Sequence, residues 1–322
     1  MTAKRIALAA GTLGALAIAA LAALVYHDYR RDIERERARV ASGSSVVQTP
    51  CGPIEYATTG EGRPLLIVHG AGGGFDQGML FAKPFAERGF RVIAMSRFGY
   101  LRTPLQADAS PAAQADAHAC LLDALKIPRA AILGASAGAP STMQFALRHP
   151  DRCDAMVLLV PLAWAPRPGN GPPEPVKLPF FFETALRSDF LFWAAIKTMR
   201  TPMVATVFAT PPRVLETASA DEQARVRELM EYVLPVSERR EGLLNDGKIA
   251  FSLQRYDLEK IAVPTLAISV ADDAFGTFAS ARYTAAHIPG ARFVGYPSGG
   301  HVWVGHQREI ISEIAGFLER RK

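Results

Sequence analysis

Cysteine is scarce in this chain of 322 residues, and the cysteines that occur show no regular spacing. Cys51, Cys120 and Cys153 are far apart, and no two of them form a C-x-x-C pair. Zinc sites and disulfide-rich small domains both depend on such spacing. We therefore expect no metal site and no disulfide framework, and we expect the three cysteines to be ordinary packing residues.

The chain also lacks an excess of charge of one sign outside its N-terminus. The first 40 residues contain 7 lysines and arginines against 4 acidic residues, whereas the remainder contains 29 against 27. No zinc-finger, RNP-like or basic-helix motif is present, and nothing repeats at a fixed period. A nearly neutral body without such motifs argues against nucleic acid as a partner. The glycine run at 72–74 lacks the G-x-G-x-x-G spacing of a dinucleotide site, so no cofactor is expected.

One long apolar run is present near the N-terminus. Residues 6–26 are 21 consecutive residues without a charge, and a helix of that length spans about 30 Å, the thickness of a bilayer's hydrocarbon core. Lys4, Arg5 and "ALA" at 20–22 also fit a cleaved secretory signal. The run continues beyond that site into "YRRDIERERAR", which favours an uncleaved single-pass membrane anchor. Its five arginines favour a body on the cytoplasmic face, although a signal anchor with its N-terminus inside would place the body outside.

Between residues 64 and 161, apolar strands alternate with helices. Examples are the strand "LLIVHG", the helix "FAKPFAERG" and the strand "FRVIAMS". This alternation predicts an α/β fold with a doubly wound, mostly parallel sheet covered on both faces. Between residues 162 and 256 no strong strand occurs, and proline-rich stretches separate helices such as "FFFETALRSDFLFWAAIKTMR".

These patterns divide the chain into four segments. Residues 1–40 form an N-terminal membrane anchor and a basic linker, residues 41–161 and 257–322 form two parts of one α/β core, and residues 162–256 form a helical insertion between them. The position of the insertion predicts a lid over a site at the sheet. The alternative is a second structural layer that gates nothing.

A G-x-S-x-G pentapeptide follows the apolar strand "AAIL" and precedes a segment with helical apolar spacing. Its glycines, Gly134 and Gly138, suit a strained turn whose neighbours approach closely. A strand–turn–helix of this kind exposes its serine, here Ser136, as a nucleophile. An ordinary tight turn between packed elements would also select small residues.

Together with three further motifs, this pentapeptide resembles the α/β-hydrolase family from about residue 45 to 322. The motifs are "HGAGGG" after the third strand, "GASAG", "SVADDAF" after a late strand and "SGGHVW" before the last helix, in the family's order of serine, acid and histidine. The resemblance implies Ser136 as the nucleophile, His301 as its base and Asp273 as the acid that orients the histidine. Asp272 is an alternative acid, because Val270 replaces the glycine from which the family's acid is counted.

The resemblance also implies an oxyanion hole made of backbone N–H groups. One would come from Ala137, the residue after the nucleophile, and the other from Ala71 or Gly72 in the glycine-rich loop. The segment "SRFGYLRTP" at 96–104 keeps the arginine of a related turn in many relatives, Arg97, but lacks the acid of that turn. We expect a packing role for this segment.

These observations predict a membrane-anchored serine hydrolase that forms an acyl-enzyme from carboxylic esters of small apolar molecules, without a metal or cofactor. Similar relatives with a serine, histidine and aspartate cleave carbon–carbon bonds in vinylogous diketones, and acyl or peracid transfer is a further possibility on the same fold. A catalytically silent ligand-binding module is the alternative from another class. Such a module has no need for Ser136, Asp273 and His301 together.

Overall fold

The computed structural model describes residues 3–166, 184 and 186–320, with side chains from residue 10 onward. Its centre is an eight-stranded sheet in the order β1-β2-β4-β3-β5-β6-β7-β8. β1 and β2 form an antiparallel hairpin, β2 pairs antiparallel with β4, and the other neighbours are parallel. This topology confirms the predicted α/β fold with a mostly parallel sheet. The strands are β1 Ser45–Thr49, β2 Gly52–Thr59, β3 Arg63–Val68, β4 Phe90–Met95, β5 Ala130–Ala135, β6 Cys153–Leu159, β7 Thr265–Val270 and β8 Arg292–Tyr296.

Apolar side chains on both faces of the sheet are covered by helices. Along β3, Leu66 and Val68 belong to one buried cluster with α4, α5 and α11, whereas Leu65 and Ile67 belong to a second cluster with α12. Successive side chains of a strand point to opposite faces, so a strand buried on both faces is apolar throughout. The described helices are α1 Ala3–Ala41, α2 Phe75–Leu80, α3 Lys83–Ala86, α4 Pro111–Ala124, α5 Ala139–Arg148, α6 Asp189–Thr198, α7 Arg200–Thr206, α8 Pro212–Glu216, α9 Ala220–Glu231, α10 Arg240–Ser252, α11 Thr277–His287 and α12 Gln307–Glu319.

The helical insertion between β6 and β7 contains α6 to α10. These helices contribute most of a third apolar cluster, which includes Phe192, Trp193 and Leu229. The N-terminal part of the helix predicted at 180–200 lies outside the described residues, and its C-terminal part is α6. The role of the insertion as a lid stays a prediction.

Helix α1 has two halves with different surroundings. In its first half the large apolar side chains are 61–71% exposed, as at Leu16 and Ile18, and the helix is long and apolar enough to cross a membrane. A signal sequence near an N-terminus can meet the same criteria of length and composition. In its second half Ile33 and Val40 are buried, and Ile33 belongs to the apolar cluster of the insertion. The arginine-rich segment, which we predicted as a basic linker, thus continues the helix and has a buried side.

Two of the three cysteines are not the separate packing residues that we predicted. Cys51, in the turn between β1 and β2, and Cys120, in α4, form a disulfide with their Cα atoms 6.2 Å apart. The expectation was wrong because the two cysteines are 69 positions apart in sequence, and the packing of α4 against the β1–β2 hairpin brings them together. Cys153 is free and buried, and burial raises the pKa of its thiol to about 12.

Candidate active site

Ser136 lies at a sharp turn between the carboxyl end of β5 and helix α5. It begins a single 3₁₀ turn over 136–138 and has a φ of 48°, a left-handed conformation that is costly for a residue with a side chain. A Cβ at Gly134 would lie 2.3 Å from Thr142 Oγ1, and one at Gly138 would lie 2.6 Å from the carbonyl oxygen of His69. Both glycines are therefore required by close approach, as the sequence predicts.

The predicted serine, histidine and acid lie in one hydrogen-bonded line. His301 Nε2 is 2.9 Å from Ser136 Oγ, and His301 Nδ1 is 2.7 Å from Asp273 Oδ2. Asp273 and His301 are buried, whereas Ser136 is partly exposed. A carboxylate at Nδ1 fixes the hydrogen on that nitrogen, and Nε2 is then free to accept the serine proton.

The two adjacent aspartates that the sequence leaves open have different partners. Asp273 follows β7, and its carboxylate also accepts hydrogen bonds from Phe275 N–H at 2.9 Å and from the hydroxyl of Thr277. Asp272 instead accepts the N–H of Gly300 at 2.7 Å. Asp273 thus orients the histidine ring, while Asp272 holds the loop that carries it.

Two backbone N–H groups near Ser136 are available to a ligand. Ala137 lies in the first turn of its helix, where N–H groups have no partner within the helix. In the glycine-rich loop, Gly72 N–H donates to the Tyr100 hydroxyl at 3.3 Å and Gly73 N–H donates to Gly70 at 3.3 Å. The N–H of Ala71 makes no hydrogen bond to the described residues. Of the two predicted alternatives, Ala71 is therefore the available donor and Gly72 is engaged elsewhere.

His69, at the start of the glycine-rich loop, fixes the position of that loop. The backbone N–H of Arg97 donates to His69 Nε2 at 3.0 Å, so the ring hydrogen is on Nδ1 and donates to the carbonyl of Gly70 at 2.7 Å. Burial, together with the charge of Arg97, holds the pKa of His69 well below its usual value. A neutral His69 therefore joins the loop to the end of β4.

Arg97 connects the same loop to the helical insertion. Its guanidinium donates to the carbonyl oxygens of His69 and Gly70. It also forms a bidentate ion pair with Asp246 of α10, with N–O distances of 2.7 and 2.6 Å. Tyr100 donates to the same carboxylate at 2.5 Å. Arg97 and Tyr100 are fully buried. No motif in the sequence marks Asp246, which lies 149 residues from Arg97 in the helical insertion.

A second buried carboxylate, Asp76, ties the loop to helix α1. Arg239 donates to Asp76 at 2.7 Å and to the carbonyl of Gly73 at 2.5 Å, and Arg39 of α1 contacts the same carboxylate. Burial alone would raise the pKa of Asp76, but the charges of Arg239 and Arg39 lower it below its usual value. The end of the N-terminal helix is thus part of the support of the active-site loop.

The acid missing from the turn at 96–104 is supplied by another strand. Ser96 donates to Glu55 of β2 at 2.8 Å and accepts the N–H of Phe75 at 3.1 Å. Arg102 donates to the other oxygen of Glu55 at 2.7 Å. The turn therefore has the packing role that we predicted, and its buried carboxylate comes from Glu55.

The chain belongs to the α/β-hydrolase family. A family model described as "alpha/beta hydrolase fold" matches residues 63–304. That range contains the sheet from β3 to β8 and every residue of the hydrogen-bonded line.

Named relatives of this chain are hydrolases. The Bacillus subtilis protein "Uncharacterized hydrolase YcgS" is 27% identical over 285 residues, which cover 83% of this chain and 95% of that protein. A 2-hydroxy-6-oxo-6-phenylhexa-2,4-dienoate hydrolase from Comamonas testosteroni is 32% identical over 113 residues, which cover 34% of this chain and 40% of that protein. A solved structure, an alpha/beta hydrolase fold protein from Nakamurella multipartita, has a TM-score of 0.66 and 26% identity, and the match covers 85% of this chain and 98% of that one.

Proposed function

We propose that this protein is a membrane-anchored serine hydrolase that cleaves carboxylic esters of apolar molecules through an acyl-enzyme. The observation that carries the proposal is the hydrogen-bonded line from Ser136 through His301 to Asp273, at the strained turn after β5. A serine hydroxyl is a weak nucleophile until a base accepts its proton, and this line supplies the base and the group that orients it.

The reaction has two balanced halves. Ser136 Oγ attacks the ester carbonyl while its proton moves to His301 Nε2, and the N–H groups of Ala71 and Ala137 stabilise the oxyanion. The imidazolium then gives its proton to the departing alcohol, and Ser136 retains the acyl group. In the second half, water gives a proton to His301 and attacks the acyl carbon, and the acid is released as Ser136 recovers its proton.

Apolar side chains near this line support an apolar substrate. The ring of Phe275 is 53% exposed and meets the ring of His301 edge-on, with centroids 4.8 Å apart. Across the loop, a Cβ at Gly72 would lie 3.3 Å from Val233. The insertion contributes Val233, and we propose that this segment covers the site as a lid.

A chain-length series of p-nitrophenyl esters tests the proposal. We expect esters with longer acyl chains to be cleaved faster than the acetate, and we expect the Ser136→Ala variant to lose this activity. The matched control is Ser252→Ala, which removes an exposed hydroxyl on α10 and should leave the rates unchanged. Faster cleavage of the acetate than of every longer ester would contradict the apolar preference, and an active Ser136→Ala would contradict the nucleophile.

Cleavage of a carbon–carbon bond is the second candidate, because one named relative is a dienoate hydrolase. The same residues would serve, with the bond beside a ketone taking the place of the ester bond. Hydrolysis of a vinylogous dienoate by a preparation that cleaves no ester would favour this candidate. A folded protein that cleaves neither substrate would favour a silent ligand-binding module.

We propose that α1 anchors the protein and that the body lies outside the cytoplasm. The Cys51–Cys120 disulfide supports this side, because such bonds persist in oxidising compartments and are rare in the cytosol. This proposal reverses the side that the five arginines favour. Protease added to intact spheroplasts of a bacterial host should digest the body, and full protection in intact spheroplasts with digestion after lysis would refute it.

A further inference from the structure

Helix α6 has exposed apolar side chains next to its buried face. Phe192, Trp193 and Ile196 are at most 6% exposed and recur at the spacing of one helical face. Beside this face, Phe190 is 37% exposed, with its ring stacked on that of Trp193 at a centroid distance of 6.0 Å, and Leu191 is 42% exposed. Phe190 and Leu191 together form what we call the outer face of α6. Two adjacent large apolar side chains that stay in contact with water do not contribute the free energy that burial of their surface would provide.

The inner face of α6 packs in the layer next to the active-site loop. Its buried side chains share an apolar cluster with Val302 and Val233. Val302 follows His301 in sequence, and Val233 lies against Gly72. The helix that carries the outer face therefore packs against the loop of His301 and, through Val233, against the glycine-rich loop.

The outer face of α6 lies where α1 leaves the body of the protein. The Tyr29 ring meets the Phe190 ring edge-on with centroids 5.1 Å apart, and it lies 6.3 Å from the Tyr26 ring. Tyr26 is the last residue of the apolar run, and three residues of helix advance about 4.5 Å. Phe190 is thus within about one helical turn of the boundary at which an inserted α1 would enter the hydrocarbon core.

Ion pairs fix α6 to α1 near both ends. Arg37 binds Asp189, the first residue of α6, at 3.0 Å, and Lys197 near the other end binds Asp32 at 3.1 Å. Asp32 also accepts the indole N–H of Trp193 at 3.0 Å. The spacing between the outer face of α6 and the apolar run of α1 is therefore set by the fold.

We propose that the outer face of α6, formed by Phe190 and Leu191, lies in the headgroup layer of the bilayer that holds α1. Tyr26, Tyr29 and Phe190 form an aromatic group at this depth, where aromatic side chains are favoured. Exposed Arg187 and Arg200 flank the helix, and arginines beside an apolar helix face suit lipid phosphates. The inference rests on the proposed membrane anchoring. It narrows the proposed substrates to esters whose acyl chains are dissolved in the bilayer.

Fluorescence quenching at single introduced cysteines tests the contact. Cys153 is buried and Cys51 is bonded to Cys120, so a thiol-reactive NBD label will react at an added cysteine. The full chain is reconstituted in vesicles of phosphatidylcholine and phosphatidylglycerol with label at Phe190→Cys. Label at Leu16→Cys reports insertion of α1, and label at Arg292→Cys on the edge strand β8 reports an exposed site in water.

We expect the label at position 190 to be quenched by lipids with a headgroup-proximal spin label and to be at least threefold less sensitive to aqueous iodide than the label at position 292. Equal iodide quenching at 190 and 292, with position 16 shielded, would overturn the contact while leaving the anchor intact. Iodide access at position 16 would refute the anchor and, with it, this inference. Both readouts are independent of whether the protein cleaves esters.

A substrate comparison tests the consequence for the reaction. For the Phe190→Ser/Leu191→Ser double variant, we expect at least a fivefold lower rate on a long-chain ester dissolved in the vesicles and an unchanged rate on a water-soluble short-chain ester. Phe251→Ser, which changes a 55% exposed apolar side chain on α10, is the matched control and should change neither rate. Equal loss on both esters, or no loss on either, would overturn the deeper substrate assignment.

Discussion

Asp273 and His301 are joined by a 2.7 Å hydrogen bond between Oδ2 and Nδ1, whereas Asp272, the residue before Asp273, accepts a hydrogen bond from the backbone N–H of Gly300. Adjacent carboxylates on one loop thus have separate tasks. Asp273 determines which nitrogen of His301 faces Ser136, and Asp272 determines where the histidine loop lies. Substitutions at the two positions should therefore give different kinetic results.

Replacing Asp273 by asparagine should lower kcat by about 10⁴-fold, because an amide at Nδ1 permits the tautomer whose Nε2 carries a hydrogen. Asp272→Asn is the matched control, since it changes the same charge one residue away and should cost less than about tenfold, or about 1.4 kcal/mol. Steady-state rates with an activated ester measure both. A larger loss at position 272 than at position 273 would show that the acid has been assigned to the wrong residue.

The buried pair of Arg97 and Asp246 predicts a large loss of stability when its acid is removed. Asp246→Asn leaves the guanidinium of Arg97 without a counter-charge in a buried site, which costs about 3–5 kcal/mol of unfolding free energy. Denaturant unfolding of the detergent-solubilised protein measures this. Glu313→Gln breaks the exposed pair with Arg292 at 2.5 Å and should cost less than about 1 kcal/mol. Similar losses for the two variants would contradict the role assigned to Asp246.

The disulfide predicts that reductant destabilises the protein. Cys51 and Cys120 are 69 positions apart in sequence, and loss of a cross-link over a loop of that length costs about 4 kcal/mol through the entropy of the unfolded chain. Denaturant unfolding with and without dithiothreitol measures the difference. The Cys51→Ser variant serves as the control, because its stability should not respond to the reductant. A wild-type protein that is equally stable in both conditions would contradict the bond.

Buried His118 predicts that stability falls as the pH falls from 7 to 5. Burial lowers the pKa of its ring to about 3, whereas the ring in the unfolded chain binds a proton below about pH 6.5. The unfolded state therefore binds more protons than the folded state in this window, and His118 alone accounts for a loss of about 2 kcal/mol. Unfolding curves at both pH values should show that His118→Gln loses less stability than the wild type. Parallel losses would contradict a neutral His118 in the folded protein.

The mostly parallel sheet and the candidate residues Ser136, Asp273 and His301 could be predicted because both follow from local patterns. Buried strands are continuously apolar, and the turns at 134–138 and 299–301 need glycine at positions set by close contacts. The ion pairs that Asp246, Asp76 and Glu55 form with arginines could not be predicted, since each of these acids contacts its arginine only after distant segments have packed. The disulfide was missed for the same reason.

The N-terminal segment has a structure that its amino-acid pattern did not indicate. Its arginines suggested a basic linker after the apolar run, and these residues lie on a helix that also carries the buried Ile33 and Val40. Buried apolar residues at helical spacing outweigh the high charge of the segment. The resulting helix reaches Asp76 through Arg39, which is a connection between the N-terminal helix and the glycine-rich loop that no motif indicates.

Labelling with a fluorophosphonate probe is the measurement that tests the account most directly. The detergent-solubilised protein, the Ser136→Ala variant and a heat-denatured sample are treated in parallel, and the adduct is located by mass spectrometry. We predict one adduct, on Ser136, that is absent from the variant and from the denatured protein. A folded wild-type protein that takes no label, or takes it equally at other serines, would contradict an activated nucleophile at the turn after β5.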